Sequence, residues 1–220
     1  MLERRLLVAL AVLIAIAAIF FSPFLESRKR AYVPPVQGRK NTTLFLVLPE
    51  YGFSNVHLAT AQALLERHPQ IDVQFAGFPI LRSRIERISD SVIRKNAKAK
   101  PIVFHALPGR PASEIVYEAT GGPDAAIAPP GVAGIVKFLR YAELYASPWP
   151  APEHLEIYKA IKQLIEDVDP SVVVIDPLFA PAKEATRQLN RAHVSISPNT
   201  LADLFAFTQP YGAGFWKFPM

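Results

Sequence analysis

The chain has 220 residues, 21 prolines, no cysteine and a formal net charge of +5. The lack of cysteine excludes disulfides and cysteine-based zinc sites, and no histidine–carboxylate group has metal-ligand spacing. The charge is modest and much of it lies between residues 28 and 40, so a nucleic-acid surface is not expected. These observations predict no metal site. The sequence also contains no glycine-rich phosphate-binding loop.

The first element is an unbroken apolar run, Leu6–Phe21, flanked by arginine and lysine. Extended to residue 25, it spans about 30 Å as a helix, which is the thickness of a bilayer core. We predict that residues 1–30 form a single-pass membrane anchor, inserted through residues 6–25, with a linker over residues 31–42. A cleaved signal peptide and a buried soluble helix are the alternatives, and the length of the apolar run argues against the signal peptide.

The orientation of this anchor rests on the basic residues around it. Two arginines precede the apolar run and five basic residues lie in the stretch 28–40, which favours a domain on the cytosolic face. Asn41-Thr42-Thr43 is a formal glycosylation sequon and argues for the lumenal face. We expect an endoplasmic reticulum protein with a cytosolic domain, and the lumenal alternative stays open.

Beyond the linker, short apolar runs alternate with amphipathic segments. Strands are predicted at residues 43–49, 71–77, 102–107, 171–175 and 192–197, and helices at 56–67, 132–145, 152–168 and 180–189. Residues 81–96 are a polar helix or an irregular segment, and the glycine- and proline-rich stretch 111–130 is predicted to be irregular and to face a cleft. The alternation predicts an α/β fold with a doubly wound, parallel, Rossmann-like sheet.

Two segments follow buried strands and lie where such sheets bind ligands, at the carboxyl ends of the strands. They are residues 50–55, after the first strand, and residues 176–179, after the valine-rich strand. Asp176 is well placed to point into a cleft, and capping of the following helix is an equally good interpretation.

These segments resemble a known family. Residues 44–65, with Gly52, Asn55 and Leu58 in register, resemble the opening strand, loop and helix of UDP-dependent glycosyltransferases of the GT-B fold, and residues 51–59 are similar to the fungal, membrane-associated members. Residues 172–179 resemble the strand that carries the family's acidic catalytic partner, and residues 196–200 and 215–219 fit the tail of its N-terminal lobe. The resemblance implies that residues 43–220 are a GT-B N-terminal, acceptor-binding lobe.

The family mechanism uses a general base on the acceptor hydroxyl and a carboxylate beside that base. The resemblance assigns the carboxylate to Asp176, but Phe53 occupies the base position and cannot accept a proton. His57 is the nearest substitute, predicted in the first helical turn, where the helix dipole would lower its pKa. A structural hydrogen-bonding role for His57 is the alternative.

The same resemblance implies an acceptor pocket and a UDP-sugar as co-substrate, with no other cofactor. The residues predicted to bind the acceptor are Tyr51, Gly52, Phe53, Asn55, His105 and Phe179.

In this family a C-terminal lobe holds the sugar nucleotide, and the present sequence stops about where that lobe would begin. The expectation is therefore an acceptor lobe without a donor lobe. It could be part of a longer enzyme that transfers a hexosyl group to a small, lipophilic hydroxyl compound. The alternatives are a half that pairs with a separate donor-binding chain and a non-catalytic binding module.

Overall fold

The computed structural model of the chain describes residues 33–122 and 131–199. The predicted anchor, the end of the irregular stretch and the tail motif at 215–219 lie outside these ranges. The chain divides into two units, residues 1–34 and 35–220, and the second contains the sheet and its helices. Within the described ranges, no helix combines the length and the apolar character that crossing a bilayer requires.

A parallel sheet forms the centre of this unit, with five strands among the described residues. The strands are β1 (Lys40–Leu46), β2 (Asp72–Gly77), β3 (Val103–Ala106), β4 (Pro170–Ile175) and β5 (His193–Ser195). Their order in the sheet is β3-β2-β1-β4-β5, and every neighbouring pair is parallel. The central strand β1 ends in three completely buried residues, Leu44 to Leu46, because it is covered on both faces.

The helices that the structure describes cover the two faces of the sheet. They are α1 (Tyr51–Arg67), α2 (Arg82–Lys95), α3 (Ala112–Thr120), α4 (Val132–Ala146), α5 (Ala151–Val168) and α6 (Ala180–Gln188), with a short 3-10 helix, Pro79–Leu81, before α2. One core joins α1 and α2 to β1, β2 and β4 through residues such as Phe45, Leu58 and Ile85. The other joins α3, α5 and α6 to the opposite face through residues such as Leu46, Ile161 and Ala182. The predicted α/β class with a parallel sheet is confirmed.

Helix α1 begins five residues earlier than predicted. Ser54 and Asn55 lie within this helix, because the Ser54 N–H donates to the Glu50 carbonyl at 2.9 Å and the Ser54 hydroxyl donates to the same oxygen at 2.9 Å. The predicted loop 50–55 is therefore reduced to Glu50, and the residues from Tyr51 onward belong to the first turns of α1.

The stretch 111–130 is also less irregular than predicted, because it contains helix α3. Pro111 precedes the first turn, where a missing N–H costs nothing, and Gly121 ends the helix with a φ of 80° that favours glycine. These two residues, which suggested a loop, are the boundaries of a helix. Helix α3 packs Ile115 into the second core and contributes to the site described next.

Candidate functional site

The site lies where the chain connections of the sheet change direction. From β1 the chain passes through α1 to β2 on one side, whereas β4, the neighbour of β1 on the other side, continues through α6 on the opposite face. This is a topological switch point, where parallel sheets leave a crevice beyond the carboxyl ends of their strands. Glu50, His57 and Asp176 come from the segments that follow β1 and β4.

Asp176 directly follows β4 and is completely buried. Its Oδ1 accepts a hydrogen bond from the Leu178 N–H at 2.9 Å, whereas Oδ2 is buried without a partner in the described part of the chain. Burial, with a smaller contribution from the negative charge of Glu50, raises the pKa of Asp176 to about 6. Asp176 does not cap α6, because the residue at that cap is Phe179.

His57 lies in the second turn of α1 rather than the first and is completely buried. Its Nδ1 is 2.9 Å from the Phe53 carbonyl oxygen, which can only accept, so Nδ1 carries the proton and the lone pair is on Nε2. Nε2 is buried and has no hydrogen-bond partner among the described residues, and the ring meets the Phe45 ring edge-on at 6.4 Å.

The pKa of His57 is lowered mainly by burial, against a smaller opposing influence of the Phe53 and Ile175 carbonyls. The direction is the one expected from the sequence, but the cause is different, because a histidine in the second turn lies beyond the strongest influence of the helix N-terminus. No hydrogen bond joins His57 to Asp176 in the described part of the chain, since the free atoms of both side chains lack partners.

Three buried side-chain atoms in the described ranges have no hydrogen-bond partner, and all three lie at this switch point. They are Oε2 of Glu50, Nε2 of His57 and Oδ2 of Asp176. Buried polar atoms are nearly always hydrogen-bonded in folded proteins, because leaving one unpaired costs about 1–3 kcal/mol. All three follow the central strands β1 and β4, so the carboxyl ends of these strands are a place where a ligand or water can complete the hydrogen bonding.

A cavity of about 230 Å³ opens beside Glu50, one of these three residues. It is lined by Leu48, Glu50, Phe53, Ala112, Ser113, Val116, Tyr117, Pro148 and Leu178. Glu50 is the one charged residue among these described lining residues, and its Oε1 accepts a hydrogen bond from the Ser113 N–H of α3 at 3.0 Å. The cavity is therefore an apolar pocket with a single carboxylate, a composition suited to an apolar molecule with a hydrogen-bond donor.

Of the residues predicted to bind the acceptor, Phe53 lines this pocket. Tyr51 and Asn55 lie in the first turns of α1 with exposed side chains, and both contact Arg84 of α2. A Cβ atom on Gly52 would meet nothing within 4 Å, so the space around this residue does not demand glycine.

The other two predicted acceptor residues lie elsewhere. His105 is within β3 and contacts the Gln74 side chain, with 2.7 Å between its Nε2 and Oε1 of Gln74. It lines a separate cavity between β3 and α5, and burial lowers its pKa. Phe179 is completely buried and packs on Trp149 and Phe78, with ring centroids 5.7 and 6.1 Å away.

The sequence assigned no individual role to three contributors to the site, Glu50, Ser113 and Arg84. Glu50 lies in the segment 50–55 that was expected at the ligand-binding end of the sheet, and it is the first acidic residue after a buried strand, as Asp176 is. Ser113 and Arg84 had no such signal, because both reach the site through helices whose packing the sequence does not reveal.

The chain is similar to a known glycosyltransferase. The glycosyltransferase sdnJ of Sordaria araneosa is 26% identical over 192 residues, which cover 84% of this chain and 37% of the relative. This likeness confirms the resemblance to glycosyltransferases, although the chain spans only 37% of that relative's length. No protein-family model matches the chain.

The chain also matches parts of several solved structures, with TM-scores below 0.5. SsfS6 of Streptomyces sp. SF2575 matches with a TM-score of 0.49 at 13% identity over 71% of this chain and 39% of its own. SnogD of Streptomyces nogalater gives 0.45 at 14% identity over 81% and 38%. UGT2 of Phytolacca americana, solved with UDP-2-fluoro-glucose and pterostilbene, gives 0.42 at 15% identity over 82% and 34%.

Proposed function

We propose that residues 43–220 form the acceptor-binding lobe of a UDP-glycosyltransferase, which transfers a hexosyl group from a UDP-sugar to a hydroxyl of a small, lipophilic acceptor. The observation that carries this proposal is an apolar pocket at the topological switch point that is lined by Glu50, one of the three residues with an unpaired buried atom there. The similarity to a glycosyltransferase supports the reaction class.

The pocket agrees with the proposed acceptor in size and polarity. A cavity of about 230 Å³ with a mainly apolar lining holds a small hydrophobic compound, and one carboxylate suits a neutral hydroxyl better than an anionic group. Asp176 stays in this proposal as the carboxylate of the site. His57 stays as a candidate base, with its Nε2 lone pair free of any described partner but enclosed.

The membrane anchor remains part of the proposal. If residues 6–25 insert into the bilayer, the acceptor cleft is held near the lipid surface, which favours substrates that partition into membranes. A cytosolic orientation at the endoplasmic reticulum follows from the basic residues beside the apolar run.

Because we expect the acceptor lobe alone to be inactive, the test is a transfer assay with radiolabelled UDP-glucose and the complete membrane-bound enzyme, in which this lobe works with a donor-binding lobe or chain. Geraniol represents lipophilic alcohols, and glycerol is the polar control. We expect the label to move to geraniol and not to glycerol. Equal transfer to both would contradict the lipophilic acceptor, and the absence of transfer from UDP-glucose and UDP-glucuronic acid to either would contradict the enzymatic function.

The alternative is a binding module that works with a separate donor-binding chain. Phe53 favours it, because a phenyl ring lines the pocket where the family has its base. The variant Asp176→Asn separates the two hypotheses. An enzyme loses most of its transfer activity, whereas a module keeps its binding to the partner.

A further inference from the structure

We propose that Glu50 is the group that takes the proton of the acceptor hydroxyl, with Asp176 as the neighbouring carboxylate that favours this transfer. The inference rests on the proposed function and adds to it the residue that replaces the base missing at Phe53. Glu50 lies in the segment between β1 and α1, and it is the one carboxylate among the described residues that line the apolar pocket.

The first step in favour of Glu50 is how its side chain is held. Its Oε1 accepts the Ser113 N–H at 3.0 Å, which anchors the carboxylate against the first turn of α3. Backbone hydrogen bonds from Phe53 and Ser54 to the Glu50 carbonyl, at 3.0 and 2.9 Å, fix the same residue to α1. A base held between two helices is positioned before the substrate arrives, which proton transfer requires.

The second step is the free oxygen. Oε2 of Glu50 is buried and has no donor from the described part of the chain. A carboxylate oxygen in that state is completed by a proton or by a donor that a ligand brings. A hydroxyl group in the pocket supplies such a donor, and its proton can pass to the carboxylate.

The third step concerns the rival bases. Phe53 also lines the pocket but has no atom that accepts a proton. His57 has a free Nε2, yet this residue is completely buried and is not among the described residues that line the pocket. Of the three described residues with unpaired atoms, Glu50 is the one that contacts the space an acceptor would occupy.

Asp176 is the neighbouring carboxylate in this proposal. It is buried and carries an unpaired oxygen. The negative charge of Glu50 adds to the effect of burial, and together they raise the pKa of Asp176 to about 6. Two neighbouring carboxylates that are both ionised repel each other, and a proton on one of them relieves the repulsion. Asp176 is thus a positioning residue, which acts through Glu50.

The step balances as a direct displacement. The acceptor oxygen attacks the anomeric carbon of the UDP-sugar and forms the new C–O bond, and its proton passes to Glu50. The bond between the anomeric carbon and the phosphate oxygen breaks, and UDP leaves with that electron pair. Glu50 returns the proton to solvent before the next turnover.

The test uses the same complete enzyme and two acceptors that differ in how much they need a base. Geraniol is an aliphatic alcohol that must lose its proton during transfer, whereas 4-nitrophenol is largely ionised at about pH 8. For Glu50→Gln we expect kcat/KM with geraniol to fall about 10²- to 10³-fold, and with 4-nitrophenol less than about tenfold. The amide oxygen that this substitution introduces can still accept the Ser113 N–H, and thermal unfolding checks that the variant folds.

Glu114→Gln is the matched control, because Glu114 lies on the first turn of the same helix as Ser113 and is exposed. It should leave both rates unchanged. Equal losses of Glu50→Gln on both acceptors, or no loss, would overturn the inference in favour of a structural role. The inference would also be overturned if His57→Asn, and not Glu50→Gln, lost transfer activity with geraniol but not with 4-nitrophenol. If the unaltered protein transfers to neither acceptor, the proposed function fails together with the inference.

Discussion

The buried carboxylate of Asp176 lowers the folding stability of the protein when it is ionised. Its carboxylate is buried, one oxygen is unpaired among the described residues, and its pKa is raised from 3.8 to about 6. The unfolded chain releases this proton more readily than the folded chain, so folding stability falls as the pH rises from about 3.8 to about 6. Above this pH range, the ionised Asp176 carboxylate lowers the free energy of unfolding by about 3 kcal/mol, and below the range it has no such effect.

We therefore predict that Asp176→Asn stabilises the protein while it impairs transfer. At about pH 8 the free energy of unfolding should rise by about 2–3 kcal/mol, and at about pH 4 by less than about 1 kcal/mol, because most of the penalty on the native carboxyl has then disappeared. Denaturant unfolding at the two pH values measures this difference.

Asp90→Asn provides the control, since Asp90 lies exposed on α2. It should change stability little at either pH. A loss of stability of Asp176→Asn at about pH 8 would mean that the carboxylate has a stabilising partner that the structure does not show.

At the scale of elements, the start of α1 depends on one side chain of α2. The Arg84 guanidinium donates to the Ser54 hydroxyl at 2.8 Å and to Oδ1 of Asn55, and it lies 4.2 Å from the centre of the Tyr51 ring. It also donates to the Pro49 carbonyl at 3.4 Å. Arg84 thus joins α2 to the turn that carries Glu50.

We predict that Arg84→Lys loosens this turn. Lysine keeps the charge but cannot make several directed hydrogen bonds and stack on a ring at once, so stability should fall by about 1–2 kcal/mol. The KM for geraniol should rise more than kcat falls, because the pocket wall shifts while the reacting groups stay. Amide exchange at the first turns of α1 should accelerate.

Arg94→Lys is the matched substitution on the same helix, at an exposed position. Its effects should be negligible on stability, on KM and on exchange. An Arg84→Lys protein that behaves like Arg94→Lys would show that the contacts of Arg84 add nothing to the turn.

At the scale of the whole molecule, the site depends on the helical connection between β3 and β4. This connection carries the chain from one edge of the sheet back past β2 to the far side of β1, and so creates the switch point. On the way it delivers Ser113 to the Glu50 carboxylate and Pro148 to the pocket wall. The pocket is thus assembled from segments that are distant along the chain.

The predicted anchor at residues 6–25 determines whether the whole molecule is held at a membrane. We expect the protein to stay with the membrane pellet after alkaline carbonate extraction and to be released when Leu13→Arg and Ile16→Arg are combined, because charge at the centre of a membrane helix is costly. Retention of the double variant would contradict an anchor at residues 6–25.

Asn41 offers a measurement of orientation. Its side chain is exposed, and it starts a formal sequon. On the expected cytosolic face it stays unglycosylated, so treatment with an N-glycosidase should leave the electrophoretic mobility unchanged. A shift that Thr43→Ala abolishes would place the domain in the lumen.

The fold was largely predictable, whereas the contents of the site were not. Continuous apolar runs such as 171–175 predicted buried parallel strands correctly, because burial on both faces leaves a direct mark on the sequence. Helix α3 was missed because Pro111 and Gly121 signal helix ends as well as loops. Phe179 was predicted to contact the acceptor, but its packing on Trp149 could not be read from its position after Asp176.

The sequence by itself determined the alternation of strands and helices, the resemblance to glycosyltransferases and the position of Asp176 after β4, since these depend on local pattern and order. The tertiary structure decided which polar groups meet. In the folded chain, His57 is enclosed and His105 lines a different cavity. Glu50 lines an apolar pocket and lies close enough to Asp176 for its charge to influence the pKa of that carboxyl. The physical reason is that burial and electrostatic coupling arise from the packing of distant segments, which no local spacing encodes.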